Sequence, residues 1–275
     1  RAEVGMIFAK RGVGKTFFTL GIAVALATGK PFLKWKSREA VRVLYVDGEM
    51  TATNMQKRLN ALRRYNNISS DSRDLDNFIL INNQDLHEEQ DMPKINTESG
   101  QATLKEWTDY YAPDVIVIDN LSCMISGEEN DNATWQPIKD WIIRQRRNNR
   151  AVLLVHHAGK SGAERGWGGK EDQIELSLAL EHPSNYNPED GARFVVNFSK
   201  ARELDGVDQK QFEVTMQYDG TDMEWHWEHP GDSREEQVAT MLNKGHTQQE
   251  IANQLSLNKG TVSKYAKRAR DKNLA

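Results

Sequence analysis

The sequence has very little cysteine and no long apolar run. Its 275 residues include one cysteine, Cys123. A single cysteine excludes an internal disulfide framework and fits a reducing cytosol, so we expect a cytoplasmic protein. No apolar run reaches the roughly 20 residues of a membrane-spanning helix, and no signal-peptide pattern is present. We therefore expect no membrane partner.

The composition is that of a globular protein. Hydrophobic residues make up 38% and charged residues 28% of the chain, which argues against wholesale disorder. The length suits one large or two modest domains with a buried core. The sequence starts without methionine and almost directly on an apolar strand, so we expect it to be a fragment of a longer protein.

The net charge of −4 is unevenly distributed. Residues 232–275 hold eight Lys or Arg and five Asp or Glu, a balance of +3, which leaves −7 for the remainder. Between residues 258 and 272 the count is six basic to one acidic. This asymmetry predicts a nucleic-acid contact near the C-terminus.

Residues 9–16, with the sequence Ala-Lys-Arg-Gly-Val-Gly-Lys-Thr, form the motif around which the chain is organised. An apolar run precedes the motif and a helical run from 17 to 28 follows it, which is the context of a phosphate-binding loop. The usual first glycine of such a loop is Ala9 here. Backbone N–H groups of the loop converge on phosphates, and the helix N-terminus adds partial positive charge.

The side chains of this motif have separate expected tasks. Gly12 and Gly14 allow close backbone approach and positive φ. Lys15 would reach the β- and γ-phosphates of ATP, and the Thr16 hydroxyl would hold Mg²⁺. We predict nucleotide contacts from Lys10, Arg11, Gly12, Val13, Gly14, Lys15, Thr16 and Phe17.

Strand and helix patterns alternate along the first part of the chain. Strands are predicted near 41–46, 78–81, 114–119 and 151–155, with helices between them. This alternation predicts an α/β fold with a mostly parallel, helix-covered central sheet. After residue 157 the pattern yields mainly strands, including a hairpin around residues 219–220, so the sheet should end in antiparallel strands. Residues 85–98 are predicted to be an exposed loop, and residues 144–150 are the basic end of a helix.

Two carboxylates follow predicted strands. Asp119 ends the apolar run 115–118 and, paired with a phosphate loop, would orient Mg²⁺ through its water shell. Glu49 follows the strand 41–46 and would position or deprotonate the attacking water. Glu49 is alternatively a helix N-terminal acid stabilised by the dipole, and Asp47 competes for the role of base.

Two further groups are candidates for the site. His156 and His157 suggest a metal, but no further Cys/His cluster lies near, so we prefer one of them as a γ-phosphate contact, with strand-end packing as the alternative. Lys200 and Arg202 lie on the same side of an extended chain. Three interpretations are open for Lys200 and Arg202. They could belong to the active site of their own subunit, reach a neighbouring subunit's nucleotide as an arginine finger, or form a solvated strand end.

The order of these motifs resembles the RecA-like ATPase superfamily. It is most similar to hexameric replicative helicases of the plasmid RepA type, which carry a His-His pair after this strand. The resemblance covers residues 1–228. The roles that it implies are phosphate and Mg²⁺ binding by Lys15 and Thr16, catalytic base for Glu49, Walker B acid for Asp119, γ-phosphate sensor for His157, and action in trans for Lys200 and Arg202.

The resemblance also implies a ring and a central-channel loop. In the family the nucleotide lies between subunits, so a homo-oligomer, a hexamer, is implied here. The channel loop matches residues 158–172, where Lys160, Arg165 and Lys170 would contact the phosphates of single-stranded DNA. Trp167 would stack on a base. An ordinary mobile loop is the alternative for this segment.

Residues 233–272 resemble a helix-turn-helix, so we predict an ATPase domain at 1–228 and a DNA-binding domain at 233–275. Apolar residues 238, 241 and 242 should pack against 251, 252 and 255 and against 262, 265 and 266. The third helix should begin near residue 259 and present phosphate-seeking and base-reading side chains to duplex DNA. These are Lys259, Thr261, Ser263, Lys264, Lys267 and Arg268. A generic three-helix fold with a basic face is the alternative.

Three functions are compatible with these features. The first is an ATP-driven DNA motor, a helicase serving replication of a plasmid, phage or mobile element. The second is a DNA-bound ATPase regulator that recognises an operator or origin and whose nucleotide state controls assembly without unwinding. The third is a DNA-binding scaffold whose phosphate loop only senses ATP.

Overall fold

The structure, a computed structural model, describes most of the chain in two units. The described residues are 2–69, 72–86, 91–128, 131–158, 173–202, 204, 206–229, 234–255, 257–271 and 274. One unit comprises Arg1–Lys210 with Val214–Trp227, and the other comprises Gln211–Glu213 with Glu228–Ala275. The domain limits 1–228 and 233–275 stay predictions. Within the described residues, no helix has the length and apolar character needed to cross a bilayer.

A nine-stranded sheet forms the centre of the fold. The strands of the described chain are β1 (Val4–Ala9), β2 (Pro31–Phe32), β3 (Trp35–Lys36), β4 (Val43–Asp47), β5 (Phe78–Asn82), β6 (Val115–Asp119), β7 (Ala151–His157), β8 (Leu176–Glu181), β9 (Ala192–Ala201), β10 (Phe212–Tyr218) and β11 (Met223–Glu228). The strand order is β11-β10-β9-β8-β1-β7-β6-β4-β5, and β2 pairs separately with β3.

Most of this sheet is parallel. The strands β8, β1, β7, β6, β4 and β5 are parallel neighbours, and β9 runs antiparallel to β8. Every residue of β1 and β4 is buried, as expected for parallel strands covered by helices on both faces. The predicted α/β fold class, with a mostly parallel sheet and antiparallel strands at one end, is confirmed.

Four helices connect the parallel strands. They are α1 (Lys15–Thr28), α2 (Ala52–Tyr65), α3 (Glu98–Tyr111) and α4 (Asn132–Arg147). Helix α1 ends at Thr28, and the following Gly29 has a φ of 71°, in the left-handed region that glycine tolerates. The Thr51 side chain accepts a hydrogen bond from the N–H of Asn54 and so caps α2. A glycine after α1 and a threonine before α2 are local sequence signals for these boundaries, although the sequence alone leaves Thr51 and Thr53 as alternative caps of α2.

The prediction of an exposed loop at 85–98 is wrong for part of that segment. Met92 and Ile95 are buried in the same apolar cluster as residues of β4, β6 and α4. The N–H of Ile95 donates to the carbonyl of Met124 at 2.7 Å. The segment is polar on average, but these apolar side chains cover one end of the core, a contact that composition does not reveal. Residues 87–90 lie outside the described part.

The C-terminal unit contains three helices. They are α5 (Arg234–Asn243), α6 (Gln248–Gln254) and α7 (Lys259–Asp271). Their core contains the buried residues Val238, Ile251, Ala252, Val262 and Ala266, with Met241, Leu242, Leu255, Leu257 and Tyr265 packed against it. The predicted packing of the three apolar sets is therefore confirmed. Thr247 and Glu250 form a reciprocal capping box that fixes the start of α6.

Candidate functional site

Four neighbouring strands bring the predicted site residues to one edge of the sheet. In the order β4, β6, β7, β1, the last residues are Asp47, Asp119, His157 and Ala9. Asp47 is in register with Asp119, and Ala9 with His157. Carboxyl ends of parallel strands share one edge, which is where ligands bind in sheets of this kind. Residues that are far apart along the chain therefore meet directly after the strands.

The glycine loop between β1 and α1 has the backbone that phosphate binding requires. Gly12 and Gly14 have φ angles of 83° and 119°, so both lie in the left-handed region. A Cβ on Gly14 would also stand 3.1 Å from the Phe194 ring. The Lys15 ammonium donates to the carbonyls of Ala9 at 3.0 Å and Lys10 at 3.1 Å. The loop thus holds its lysine beside the helix N-terminus.

Beside this loop lies a cavity of about 230 Å³. Six of the eight predicted loop residues line it, namely Arg11, Gly12, Gly14, Lys15, Thr16 and Phe17. Val13 is only 2% exposed, so its side chain belongs to the core and only its backbone can serve the loop. Lys10 is exposed and is not part of the cavity lining. Burial lowers the pKa of Lys15, while the charges of Asp119 and Glu49 oppose this shift.

Asp119 lies buried in the cavity wall with two hydroxyl donors. The Tyr45 hydroxyl donates to its Oδ2 at 2.6 Å, and the Thr16 side chain forms a second hydrogen bond. Burial raises the pKa of Asp119 to about 6, the neighbouring Asp47 adds to the rise, and the two hydrogen bonds oppose it. Sequence analysis did not identify Tyr45 as part of the site, because a tyrosine within a strand carries no motif.

Thr16 and Asp119 fit a Mg²⁺ ion. A hydroxyl and a buried carboxylate, hydrogen-bonded to each other beside the cavity, are hard oxygen ligands of the kind that Mg²⁺ prefers. The described residues contain no group of three His, Cys, Asp or Glu side chains arranged around a metal. A Mg²⁺ site that takes one or two protein oxygens and completes its shell with phosphate and water is compatible with that composition.

The geometry distinguishes Asp47 from Glu49. Asp47 is fully buried, and its Oδ1 accepts the N–H groups of Glu49 at 3.1 Å and Met50 at 3.2 Å. Its Oδ2 accepts the amide of Asn82 at 2.7 Å. Asp47 therefore shapes the turn after β4 and does not line the cavity. Glu49 lines the cavity, and its side chain is half exposed.

Glu49, Asn120 and His157 form a polar cluster in the cavity wall. Asn120, joined to Asp119 by a cis peptide bond, donates from its amide to Glu49 Oε2. The same amide nitrogen lies 3.2 Å from His157 Nε2, which is 3.5 Å from Glu49 Oε2. Burial and the nearby Lys15 charge lower the pKa of His157, whereas Glu49 opposes the shift. The imidazole is therefore biased toward its neutral form.

His156 and His157 cannot serve one metal together. Successive side chains of a strand point to opposite faces, and both residues belong to β7. His156 is 1% exposed, whereas His157 reaches the cavity. The structure therefore separates the pair into one core histidine and one site histidine.

Arg58 is a cavity residue that sequence analysis missed. Its guanidinium carbon lies 3.9 Å from the centroid of the Phe17 ring, which also lies 5.4 Å from the Tyr218 ring. Burial lowers the pKa of Arg58, and the surrounding acidic groups, Tyr45 and Asp119 first, oppose the shift. The sequence did contain one signal for Arg58, because its spacing on α2 puts it on the same helical face as Met55 and Leu62.

The structure places Lys200 and Arg202 away from their own chain's cavity. Because β9 runs antiparallel to β8, residues 200 and 201 pair with the start of β8. The start of β8 is in register with Gly5 of β1, whereas the phosphate loop begins after Ala9, at the other end of β1. Four residue steps along a strand span about 13 Å. Neither residue lines the cavity of its own subunit, and their role stays a prediction.

The other predicted DNA contacts have mixed positions. Lys160, Arg165, Trp167 and Lys170 lie outside the described residues. On α7, Lys259, Ser263, Lys264 and Lys267 are exposed. Thr261 and Arg268 are half-buried, and the Thr261 hydroxyl donates to the Asn258 side chain at 2.9 Å. Because that Asn258 oxygen also accepts the Thr261 N–H at 2.7 Å, Thr261 contributes to the start of α7.

Many solved structures resemble the chain, and two of them serve as examples. The flagellar accessory protein FlaH from Methanocaldococcus jannaschii is 14% identical, with 81% of this chain and 89% of that chain covered and a TM-score of 0.53. A KaiC-like protein from Pyrococcus horikoshii OT3 is 13% identical, with 82% and 89% covered and the same TM-score. At this identity the likeness establishes the fold alone. A comparison with curated proteins gives no match.

Family models match both parts of the chain. The model of the bacterial regulatory proteins of the luxR family, GerE, matches residues 233–272 and supports a DNA-binding helix-turn-helix there. The AAA_25 model, described as an AAA domain, matches residues 1–163. That match spans more than half of the 275 residues and includes the glycine loop, Glu49, Asp119 and His157. The chain therefore belongs to the AAA_25 family of AAA domains.

Proposed function

We propose that this protein is an ATP-hydrolysing DNA motor, a ring-forming helicase that moves along single-stranded DNA. The observation that carries the proposal is the convergence of Lys15, Asp119 and Glu49 around one cavity. A loop that binds phosphate, a carboxylate suited to Mg²⁺ and a second carboxylate free to activate water are the three parts that phosphoryl transfer needs. A function without hydrolysis does not require a half-exposed carboxylate at this place in the cavity.

The residues of the chain have distinct proposed roles in the reaction. Lys15 and the loop N–H groups bind the β- and γ-phosphates and stabilise the charge that develops there. Thr16 and Asp119 would hold Mg²⁺, which would neutralise further phosphate charge when bound. Glu49 orients the attacking water and accepts its proton, with Asn120 fixing the carboxylate through its amide.

His157 is proposed as the γ-phosphate sensor. It contacts Glu49 and Asn120, so a change at the phosphate reaches β7 through a single side chain. The segment that follows β7 contains the predicted channel loop, residues 158–172. We propose that the state of the nucleotide is transmitted along this route to the bound strand.

Lys200 and Arg202 are proposed to act on a neighbouring subunit's nucleotide. Their distance from their own cavity, at the opposite edge of the sheet, supports a role in trans. Such a role requires a closed or filamentous assembly in which this edge of one copy meets the cavity of the next. A hexamer is the assembly that we propose.

The decisive experiment combines ATPase assays with mass measurement. We expect hydrolysis to rise when a dT oligonucleotide is added, and we expect a six-subunit mass in the presence of ATP. Lys15→Ala and Arg202→Ala should each lack activity alone, but mixed assemblies of the two should hydrolyse ATP, because a Lys15→Ala copy supplies Arg202 to the intact phosphate loop of its Arg202→Ala neighbour. Failure of single strands to stimulate hydrolysis would contradict the motor.

The Glu49→Gln variant tests the catalytic base. Removal of the proton acceptor should lower turnover by about 10²–10⁴-fold with nucleotide binding retained. Lys57→Gln, an exposed change on α2, is the control for surface effects. Asp47→Asn should instead weaken folding, because Asp47 accepts three hydrogen bonds inside the protein. Near-normal turnover in Glu49→Gln would remove Glu49 as base.

A DNA-bound regulator is the second candidate function. It is favoured by one observation, the match of residues 233–272 to bacterial regulatory proteins of the luxR family. In that case duplex DNA carrying a recognised site, and not single strands, should change the nucleotide affinity or the assembly state. The same assay with duplex and single-stranded arms distinguishes the two functions.

A further inference from the structure

We propose that the arginine segment, residues 144–150, binds the phosphodiester backbone of single-stranded DNA along the two concave surfaces that flank it. The segment reads Arg-Gln-Arg-Arg-Asn-Asn-Arg, with four arginines and no acid. It belongs to a part of the chain that is otherwise acidic, since residues 1–231 carry a net charge of −7. The proposal does not depend on ATP hydrolysis.

The arginine segment lies far from the nucleotide cavity. Helix α4 ends at Arg147 and β7 begins at Ala151, so the segment is at the edge where the parallel strands start. The cavity is at the other end of β7, beside His157. Six residue steps along a strand correspond to about 20 Å. These arginines therefore have no role in binding their own chain's nucleotide.

Most of the positive charge of the segment is not neutralised within the described structure. Arg146 pairs with Glu175 at 3.0 Å. Arg144 donates only to the Gln101 side chain, and Arg150 donates to the Thr108 carbonyl at 3.0 Å and to the Gln145 amide oxygen. Arg147 has no hydrogen bond or ion pair with a described residue. The dipole of α4 stabilises a cation near its carboxyl end, which explains one of these arginines. It does not explain three arginines that lack an acidic partner.

The backbone of the segment is fixed. Gln145 is 6% exposed, and its carbonyl accepts the N–H groups of Asn148 and Arg150, both at 3.0 Å. Asn149 takes a left-handed φ of 60° and reverses the chain. The arginines therefore extend from a rigid turn, and binding a ligand requires little ordering of the backbone.

Concave surfaces flank the segment on two sides. A groove of about 770 Å³ between α3 and α4 is lined by Arg144, Asn148 and Arg150, and a hollow of about 440 Å³ is lined by Arg146 and Arg147. The two helices are linked by Gln101, whose amide donates to the Pro137 carbonyl at 3.0 Å. Proteins that bind single strands without sequence preference typically use a positively charged groove that follows the backbone.

The chemistry of the groove suits phosphates and does not suit base recognition. Arginine presents a planar fork of donors that matches phosphate oxygens. Two acids also line the groove, Glu98 and Asp109, and Asp109 is paired with Lys105. The aromatic residue of the lining, Trp141, is 2% exposed and has no face available for stacking. Binding should therefore be independent of base sequence.

The test measures binding of a fluorescent dT oligonucleotide by anisotropy at several salt concentrations, without nucleotide. Each phosphate contact on a single strand contributes about 0.7 to the slope of log affinity against log salt. The double change Arg144→Gln with Arg147→Gln should therefore lower the slope by about 1.4. Arg38→Gln with Arg73→Gln, which removes two exposed arginines elsewhere, is the charge-matched control.

The outcomes distinguish binding at the arginine segment from attraction by the overall charge of the protein. A slope that falls in the test variant and not in the control supports the proposal, whatever the ATPase assays show. Equal loss in both variants, or no loss in either, overturns it. Competition by a poly-glutamate peptide as effective as the oligonucleotide itself would also overturn it, since the surface would then bind acidic chains in general.

A single substitution tests the proposal in a protein that is expected to stay folded. Arg147→Gln removes a side chain that has no hydrogen bond or ion pair with a described residue, so unfolding is not an expected consequence. It should lower the salt slope by about 0.7 and leave the thermal transition unchanged. An unchanged slope in a folded Arg147→Gln protein contradicts the proposal.

Discussion

The nucleotide cavity and the helix-turn-helix achieve function in opposite ways. The cavity draws on separate segments of the chain, and its central groups are buried, with Lys15 7% and Asp119 2% exposed. The predicted DNA contacts of the helix-turn-helix come from the single helix α7, and most of them are exposed. At the cavity, the residues that are expected to carry out the chemistry also contribute to the stability of the fold. In the helix-turn-helix, the core supports the surface but does not include the residues that would contact DNA.

This difference has a consequence for mutations. At the cavity, a change of a functional side chain also changes the balance of buried charge and hydrogen bonds. On α7, an exposed lysine can be replaced with little cost to folding, because surface substitutions away from special features have small effects. Four changes test this contrast, in decreasing order of expected effect.

Lys15→Ala should abolish nucleotide binding and leave duplex DNA binding unchanged. The ammonium is the side-chain cation held at the loop, and the Ala9 carbonyl that it contacts also accepts the N–H of Ala158. Anisotropy of a fluorescent ATP analogue and of a labelled duplex measures the two activities in one preparation. Lys57→Ala, an exposed change, should alter neither. Retained ATP binding in Lys15→Ala would refute the phosphate assignment.

Ile251→Ala should have the reverse effect. Ile251 is fully buried in the core of α5–α7, and loss of such a side chain typically costs about 2–5 kcal/mol. We expect the duplex affinity to fall sharply and the ATP analogue to bind as before. Gln249→Ala, on the exposed side of α6, is the matched control. Parallel loss of both activities would show that the two units do not fold independently.

Tyr45→Phe should destabilise the ATPase unit while removing only one hydroxyl. The change leaves a buried carboxylate oxygen of Asp119 without its donor, which typically costs about 1–3 kcal/mol. Urea denaturation at neutral pH measures the free energy of unfolding. Tyr110→Phe removes the same hydroxyl from a side chain that is 82% exposed and should have no measurable effect. Equal stability of the two variants would contradict the link between the site and the core.

Lys264→Gln combined with Lys267→Gln should change DNA binding without changing stability. Both lysines are exposed on α7, and each phosphate contact on a duplex contributes about 0.9 to the salt slope. We expect the slope to fall by about 1.8 and the thermal transition to stay in place. Lys244→Gln, near the end of α5, is the control. An unchanged slope would place the DNA contact elsewhere.

The sequence supported prediction best where the determining signal was local. The limits of α1 follow from Gly14 and Gly29, and the start of α2 follows from Thr51, because capping depends on neighbouring residues. The apolar spacing in 234–271 likewise predicted the helical core. Prediction was wrong for part of the segment 85–98, where Met92 and Ile95 join the core although the segment is polar on average.

The candidate site was only partly predictable. Motif spacing identified Lys15, Thr16, Glu49, Asp119 and His157, and all of them line or contact the cavity. It could not distinguish Glu49 from Asp47, because both follow the same strand and only the hydrogen bonds from residues 49, 50 and 82 occupy Asp47. Arg58 and Tyr45 were missed, since neither belongs to a motif.

By itself, the sequence determined the phosphate loop, the alternation of strands and helices, the three-helix end and the excess of basic residues there. These features depend on residue type and short-range spacing. Only the tertiary structure decided that Asp47, Asp119, His157 and Ala9 stand side by side, that Lys200 and Arg202 lie at the opposite edge, and that the arginine segment borders a groove. Strand order and register set those relations, and they arise from hydrogen bonds between segments far apart in the chain, which no local pattern specifies.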